Sequence, residues 1–286
     1  MSRLRSLVRP IYRRFVRSAV YQGLRRRWIL TRFRKVDRHV VEAGGAKVTF
    51  STEDAFSKTW FFPRYARGRL HEAHVTEHLI DRLRSSRCFA DVGALVGYYA
   101  CLAAKLCPRA RVHAFEMDSD NVALLLRNVE LNALDNVAVV EAAVADRLGT
   151  LRYAARSGGG GIFKLASFGT RIDPAKLRDV KTVSLDEHFA GGPGPDLVKI
   201  DVEGAEMLVL RGMERLLTEV RPRIFVEVHP NTIQGFGAKA DDVLELLEAH
   251  GYRCRQVSPA PGHPLDPVDR PIRHNVMLYA EPAHRS

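Results

Sequence analysis

The chain has 286 residues, 46% of them hydrophobic and 27% charged, with a formal net charge of +11. That mixture excludes a disordered chain and suffices for one large α/β domain, while no run approaches the roughly 18 consecutive apolar residues of a membrane-spanning helix. Thirteen Lys and Arg against the single acid Asp37 fall in residues 1–40, and the remainder is nearly neutral, so the charge excess belongs to an N-terminal arm.

The arm is patterned. From Pro10, Ile11, Tyr12, Phe15, Val16, Ala19, Val20 and Leu24 recur at spacings of three and four, with arginines between them. This predicts an amphipathic basic helix able to touch an anionic membrane or a partner through residues 10–35. A secretory signal is not expected, because no apolar core with a small-residue cleavage site follows the charges. Cys88, Cys101, Cys107 and Cys254 form no C-x-x-C pair and read as reduced thiols of a cytoplasmic protein. The expected division is an arm at 1–39 and one domain at 40–286.

Within that domain a short strand is expected near Lys47–Phe50 and a helix at Glu72–Leu83. Strands at Cys88–Val92, Arg111–Phe115, Val137–Val144, Asp196–Val202 and Arg223–Val228 then alternate with amphipathic helices. The helices are expected at Tyr98–Leu106, Asp120–Asn132, Ala205–Leu217 and Ala240–His250. Tyr252–Val257 and Asn275–Ala280 close the series as a hairpin-like pair. The alternation predicts a doubly wound, mostly parallel α/β sheet. Residues 149–186, with four consecutive glycines at 158–161, interrupt it as an antiparallel insertion or lid. His71, His74 and His78 share helical spacing, but Glu72 and Glu77 among them suit a solvated helix face better than a metal site.

Ligands bind at the carboxyl ends of strands in such sheets. The turn Asp91-Val92-Gly93-Ala94-Leu95-Val96-Gly97 allows close backbone approach, and Asp91 suits an ammonium group better than a pyrophosphate. This points to a nucleoside bearing an amino acid. Glu116, closing the second strand, can accept hydrogen bonds from ribose hydroxyls, with Asp118 or Ser119 capping the next helix. Asp201 and Glu203 can orient an acceptor hydroxyl and take its proton, or hold a divalent cation. Glu206 reads as a helix N-terminal acid. His229, with an unperturbed pKa of about 6.5, suits a general base.

The runs FADVGALVGYYA (89–100), LVKIDVEGAEMLVLRGM (197–213) and RPRIFVEVHP (221–230) resemble the FkbM family of class I methyltransferases, over roughly residues 70–280. The resemblance implies a Rossmann-like sheet of seven strands, the last inserted antiparallel, and transfer of a methyl group from S-adenosylmethionine to oxygen. The acceptor would be a hydroxyl of a sugar, glycan, lipid-linked saccharide or natural product. Asp91, Gly93, Ala94 and Gly97 would then line the methionine end, Glu116 the ribose, and Glu141 with Ala142 the adenine; Glu72 would face the pocket. His229, Asp201 and Glu203 would carry the chemistry. Leu95 stands where the family usually has Asn. The alternatives are an RNA methyltransferase gripping phosphates with the arm, which the neutral body disfavours, and a non-catalytic scaffold.

Overall fold

The structure, a computed structural model, describes residues 19–154, 164–165, 177–260 and 262–283. The chain enters as helix α1 (Ala19–Arg32). The helical stretch expected from Pro10 to 18 lies outside the described residues. Ile29 on α1 is fully buried, and Phe33 just beyond it stacks on Phe62 at 4.5 Å. Lys58, itself buried, reaches the Arg34 carbonyl at 3.3 Å and Asp37 at 3.5 Å. Over its described part, therefore, the arm is held to the body through Ile29 and Phe33.

Strands β1 (Arg38–Ala43) and β2 (Ala46–Ser51) form an antiparallel hairpin around Gly44-Gly45. Only the second of these strands was legible, since β1 carries charges on its outward positions. Helix α2 (Ala55–Phe61), capped by Asp54, and helix α3 (Ala73–Leu83) lead to the main sheet. Its first half follows as β3 (Cys88–Val92), α4 (Tyr98–Leu106), β4 (Arg111–Glu116), α5 (Ser119–Leu131) and β5 (Val137–Glu141). The expected strand at 137–144 is broken at Ala142, where the chain passes into a second sheet.

That sheet comprises β6 (Ala143–Val144), β7 (Gly149–Ala154), β8 (Lys164–Leu165) and β9 (Leu177–Val183), in the order β6-β9-β7-β8. Its β7–β9 and β7–β8 pairs are antiparallel. The glycine run at 158–161 lies outside the described residues. A short helix α6 (Leu185–His188) precedes β10 (Leu197–Ile200) and α7 (Glu206–Arg211). The helix expected to continue to Leu217 is interrupted at Gly212 and resumes beyond it, with a π-helical turn over Leu216–Val220. A Cβ at Gly212 would stand 2.0 Å from the Ala145 carbonyl oxygen, so the close approach of the chain just after β6 demands the glycine. The remainder is β11 (Arg223–Val228), α8 (Ala240–Ala249), β12 (Tyr252–Val257), β13 (Leu265–Asp266) and β14 (Val276–Pro282).

The main sheet has the order β13-β12-β14-β11-β10-β3-β4-β5. β3, β4, β5, β10 and β11 are parallel, and β14 runs antiparallel between β11 and β12. Apart from the short edge strand β13, this is the seven-stranded Rossmann-like sheet with the last strand inserted. Every residue of β3 and β10 is buried, as strands covered on both faces must be. Phe89 faces a core with Leu79, Leu102 and Leu125; its neighbours Ala90 and Val92 face another with Leu185, Leu210 and Leu244.

Candidate active site

The carboxyl ends of β3, β4 and β10 open onto a cavity of about 570 Å³. Its floor is the turn after β3. Gly93 has φ +84°, and a Cβ there would lie 2.0 Å from the Asp201 carbonyl oxygen. Gly97 has φ +81°, and its Cβ would strike Leu125 at 2.2 Å. Both glycines are thus demanded by the packing of the turn itself. Leu95 adopts φ +52°, a left-handed conformation that Asn accepts more readily.

Glu116 spans the turn and the following helix. Its Oε2 accepts from the Leu95 amide at 2.8 Å, and its Oε1 accepts from the Asp118 amide at 3.0 Å. Burial pushes its carboxyl above the usual range, against these hydrogen bonds. Asp118 caps α5 by accepting from the amides of Asp120 and Asn121, as expected of that residue type.

Of the residues anticipated for a nucleoside, Gly93, Glu116 and Ala142 line the cavity, together with Leu95, Met117, Asn121 and Ala143. Asp91, Ala94, Gly97 and Glu141 are not among the lining residues. Asp91 is fully buried behind the floor, and Gly97 turns into α4 against Leu125. Glu141 is exposed at the outer edge of β5. Both Asp91 carboxylate oxygens lack a hydrogen-bond partner, and burial pushes the carboxyl up to about 6 despite the Lys199 charge from the neighbouring strand. A buried, unpartnered carboxylate beside a glycine turn and a carboxylate lining the cavity fit an amino-acid-bearing nucleoside such as S-adenosylmethionine.

The opposite wall comes from the end of β10. The Asp201 amide donates to the Val92 carbonyl at 2.9 Å, which continues the β3 pairing one residue past the strand. Asp201 and Glu203 line the cavity. Glu203 has φ +53°, and Gly204 at φ +119° leaves room only for Thr232 beside it. Behind them sits His229, buried and outside the lining. Its Nδ1 donates to Glu206 Oε1 at 2.7 Å, and the same oxygen accepts from the Gly204 amide at 2.8 Å. Its Nε2 faces Glu203 at 3.5 Å, Glu227 at 3.6 Å and Asp201 at 4.0 Å. Glu206 is thus the buried partner that fixes the imidazole, more than a helix N-terminal acid.

These charges reset one another. Burial opposes a charged imidazole, yet the Glu206 hydrogen bond and the surrounding carboxylates carry His229 up to about 9. The imidazole therefore holds its proton well above the ordinary histidine range. Burial and the neighbouring acids push Glu227 up to about 7. Burial also raises Glu203, offset in part by His229. Burial works the same way on Asp201, but the Lys199 and His229 charges hold its carboxyl below the usual range.

Lys199, buried in β10, donates to Asp201 Oδ2 at 3.2 Å and lies 4.7 Å over the Tyr99 ring. It was missed in the sequence, although a lysine inside the apolar run L-V-K-I was the available signal. Asp201, Glu227 and His229 each offer a ligand atom within 4.8 Å of the others. Glu72 is not in the lining; it accepts from the Tyr99 hydroxyl at 2.9 Å. His71 contacts the Tyr65 hydroxyl, whereas His78 meets the His263 carbonyl and His74 the His263 ring.

The roof was invisible in the sequence as a site. It comes from α1, through Gln22, Arg25, Arg26 and Ile29, and from α2 and the turn after it, through Phe56, Trp60 and Arg64. Among the described residues Arg25 and Arg26 form no ion pair.

Comparison with known proteins gives a concordant picture. Residues 91–254 match the family model described as the methyltransferase FkbM domain. The chain is 32% identical over 187 residues to the hexuronic acid methyltransferase AglP of Haloferax volcanii, covering 62% of this chain and 67% of that protein. It is 27% identical over 224 residues to the methyltransferase sdnD of Sordaria araneosa, covering 64% and 81%. Among solved structures, the methyltransferase FkbM of Methylobacillus flagellatus aligns at 17% identity with a TM-score of 0.43, over 68% of this chain and 43% of that one.

Proposed function

Because the chain belongs to the FkbM methyltransferase family and is an S-adenosylmethionine-dependent methyltransferase, we propose that it methylates a hydroxyl of an acid-bearing sugar. One observation carries this reading: Glu116 and the glycine turn share a single cavity with the Asp201–Glu203 wall and a roof of aromatic and arginine side chains. S-adenosylmethionine, when bound, supplies a methyl group on a positively charged sulfur. Glu116 would hold the ribose end, and Gly93, Leu95 and Ala142 the surrounding surface. Asp91, buried behind the floor and outside the lining, would act on the cofactor's ammonium group through its charge and not by direct contact.

The acceptor occupies the roof side. Trp60 and Phe56 offer faces for a sugar ring, and Arg25, Arg26 and Arg64 favour an acidic substituent. The hexuronic acid named for the Haloferax relative agrees with that chemistry. Asp201 and Glu203 orient the hydroxyl, and Glu203 takes its proton as the oxygen attacks. His229 is a positioning residue: held by Glu206, its positive charge works on Asp201, Glu203 and Glu227 against the burial that raises their carboxyls. Lys199 already donates to Asp201, and the His229 imidazole is held by Glu206, so we assign no divalent cation a part in the reaction. Chelator-treated protein should therefore retain its methyl transfer; loss on chelation, restored by magnesium or manganese, would make Asp201, Glu227 and His229 a metal site instead.

The test is calorimetric titration of S-adenosylhomocysteine into wild type and Glu116→Ala, followed by radiolabelled methyl transfer to a panel of uronic acids, neutral sugars and RNA. We expect binding that Glu116→Ala weakens at least about tenfold, roughly 1.4 kcal/mol, and label incorporated into uronic acids. No nucleoside binding at millimolar concentration, or label appearing only in RNA, would overturn the reading.

A further inference from the structure

Helix α1 has a second face. Val20, Leu24 and Trp28 stand four residues apart, so they form one strip, and they are 69%, 61% and 55% exposed. Three of the six large apolar side chains exposed among the described residues are thus concentrated on fourteen residues. The same helix carries Arg25, Arg26, Arg27 and Arg32 and no acid. Its opposite side is already used: Ile29 is in the core, and Gln22 and Arg25 line the cavity. The strip is therefore not the face that attaches the helix to its own domain.

We propose that α1 docks this protein onto an anionic bilayer surface, with Val20, Leu24 and Trp28 in the interface and Arg27 and Arg32, which lie outside the cavity lining, against acidic headgroups. Three occupants compete for such a face, and the side chains separate them. A second copy would set two helices of four arginines and no acid against each other. A nucleic acid would engage the arginines but leave the apolar strip in water. An anionic interface takes both at once, burying apolar side chains at the acyl boundary and pairing cations with headgroups. Tryptophan in particular favours that boundary. None of the helices among the described residues is long and apolar enough to cross a membrane, so the contact is peripheral. Because the other side of α1 roofs the cavity, docking would hold the acceptor entrance beside the bilayer. That consequence rests on the methyl-transfer reading, whereas the docking itself does not.

The test uses the full chain and two variants, Val20→Ser/Leu24→Ser/Trp28→Ser and Val20→Asp/Leu24→Asp. Each is floated with vesicles of phosphatidylcholine alone and of phosphatidylcholine with about one-third phosphatidylglycerol. The second variant keeps Trp28, which packs edge-on against Phe33, so a folding defect in the first leaves the test intact. We expect wild type to float with the anionic vesicles only, less so as salt rises, and both variants to lose at least about tenfold in partitioning. Thermal midpoints and S-adenosylhomocysteine titration confirm that the variants are folded. Wild type that stays off anionic vesicles, or a folded variant that floats as wild type does, overturns the proposal. A dimer in wild type that the variants abolish, without vesicle binding, identifies a second copy as the occupant. Failure of wild type to bind S-adenosylhomocysteine speaks against the methyl-transfer reading alone.

Discussion

At His229 two opposed forces meet: burial disfavours charge, while Glu206 and three facing carboxylates favour it, and the carboxylates prevail. The consequence is a pH-dependent stability of defined sign. A histidine whose folded pKa, about 9, exceeds its unfolded value of 6.5 contributes fully below pH 6.5 and loses that contribution as the pH rises through 9. Thermal unfolding of wild type should therefore show stability falling between pH 7 and 9 by on the order of 2 kcal/mol. Glu206→Gln removes the hydrogen-bonded charge and should flatten that slope. An equal slope in both would exclude His229 as its source. Gly93 offers a second test at this scale. Alanine there combines φ +84° with a Cβ 2.0 Å from a backbone oxygen, and urea titration should show a loss of about 3 kcal/mol or more.

At the scale of elements, Asn128 on α5 joins the hairpin to the cofactor turn. Its Oδ1 accepts from the Ser51 amide on β2, and its Nδ2 donates to the Val96 carbonyl in the turn after β3, both at 2.8 Å. Asn128→Ala strands two buried backbone groups and should cost about 2–4 kcal/mol in chemical denaturation. A loss below 1 kcal/mol would mean that water replaces the amide. Such links explain what could and could not be read beforehand. The strands Cys88–Val92 and Arg223–Val228 were legible to the residue, because apolar runs bounded by polar turns admit few alternatives, and Tyr252–Val257 through the alternation of its arginines with Tyr252 and Cys254. The demand for glycine at 212 was not, since it answers to a carbonyl remote in sequence. Glu116 could be placed by its strand end. The pairing of Glu206 with His229 depends on α7 and β11 meeting in space, and no local pattern records it.

Across the whole molecule, charge and site are joined where the sequence suggested separation. The arm held nearly all the excess charge, which made it look detachable from a neutral catalytic body. In the structure its helix closes the cavity and buries Ile29. Removing residues 1–34 should accordingly lower stability by about 2–4 kcal/mol, through loss of the Ile29 and Phe33 contacts. It should leave S-adenosylhomocysteine affinity within a few-fold and raise the acceptor KM. Unchanged acceptor kinetics in the truncated protein would show that the roof takes no part in recognition.

The division of the cavity also bears on how such an enzyme diversifies. The floor and the Asp201–Glu203 wall fall within residues 91–254, the span matched by the family model, whereas the roof residues at 22–29 and 56–64 lie before it. On the acceptor reading proposed above, drift or recombination upstream of β3 would re-specify the acceptor while leaving the floor and the Asp201–Glu203 wall untouched. Chimaeras joined just ahead of Cys88 would exchange substrate preference between relatives in a single cut.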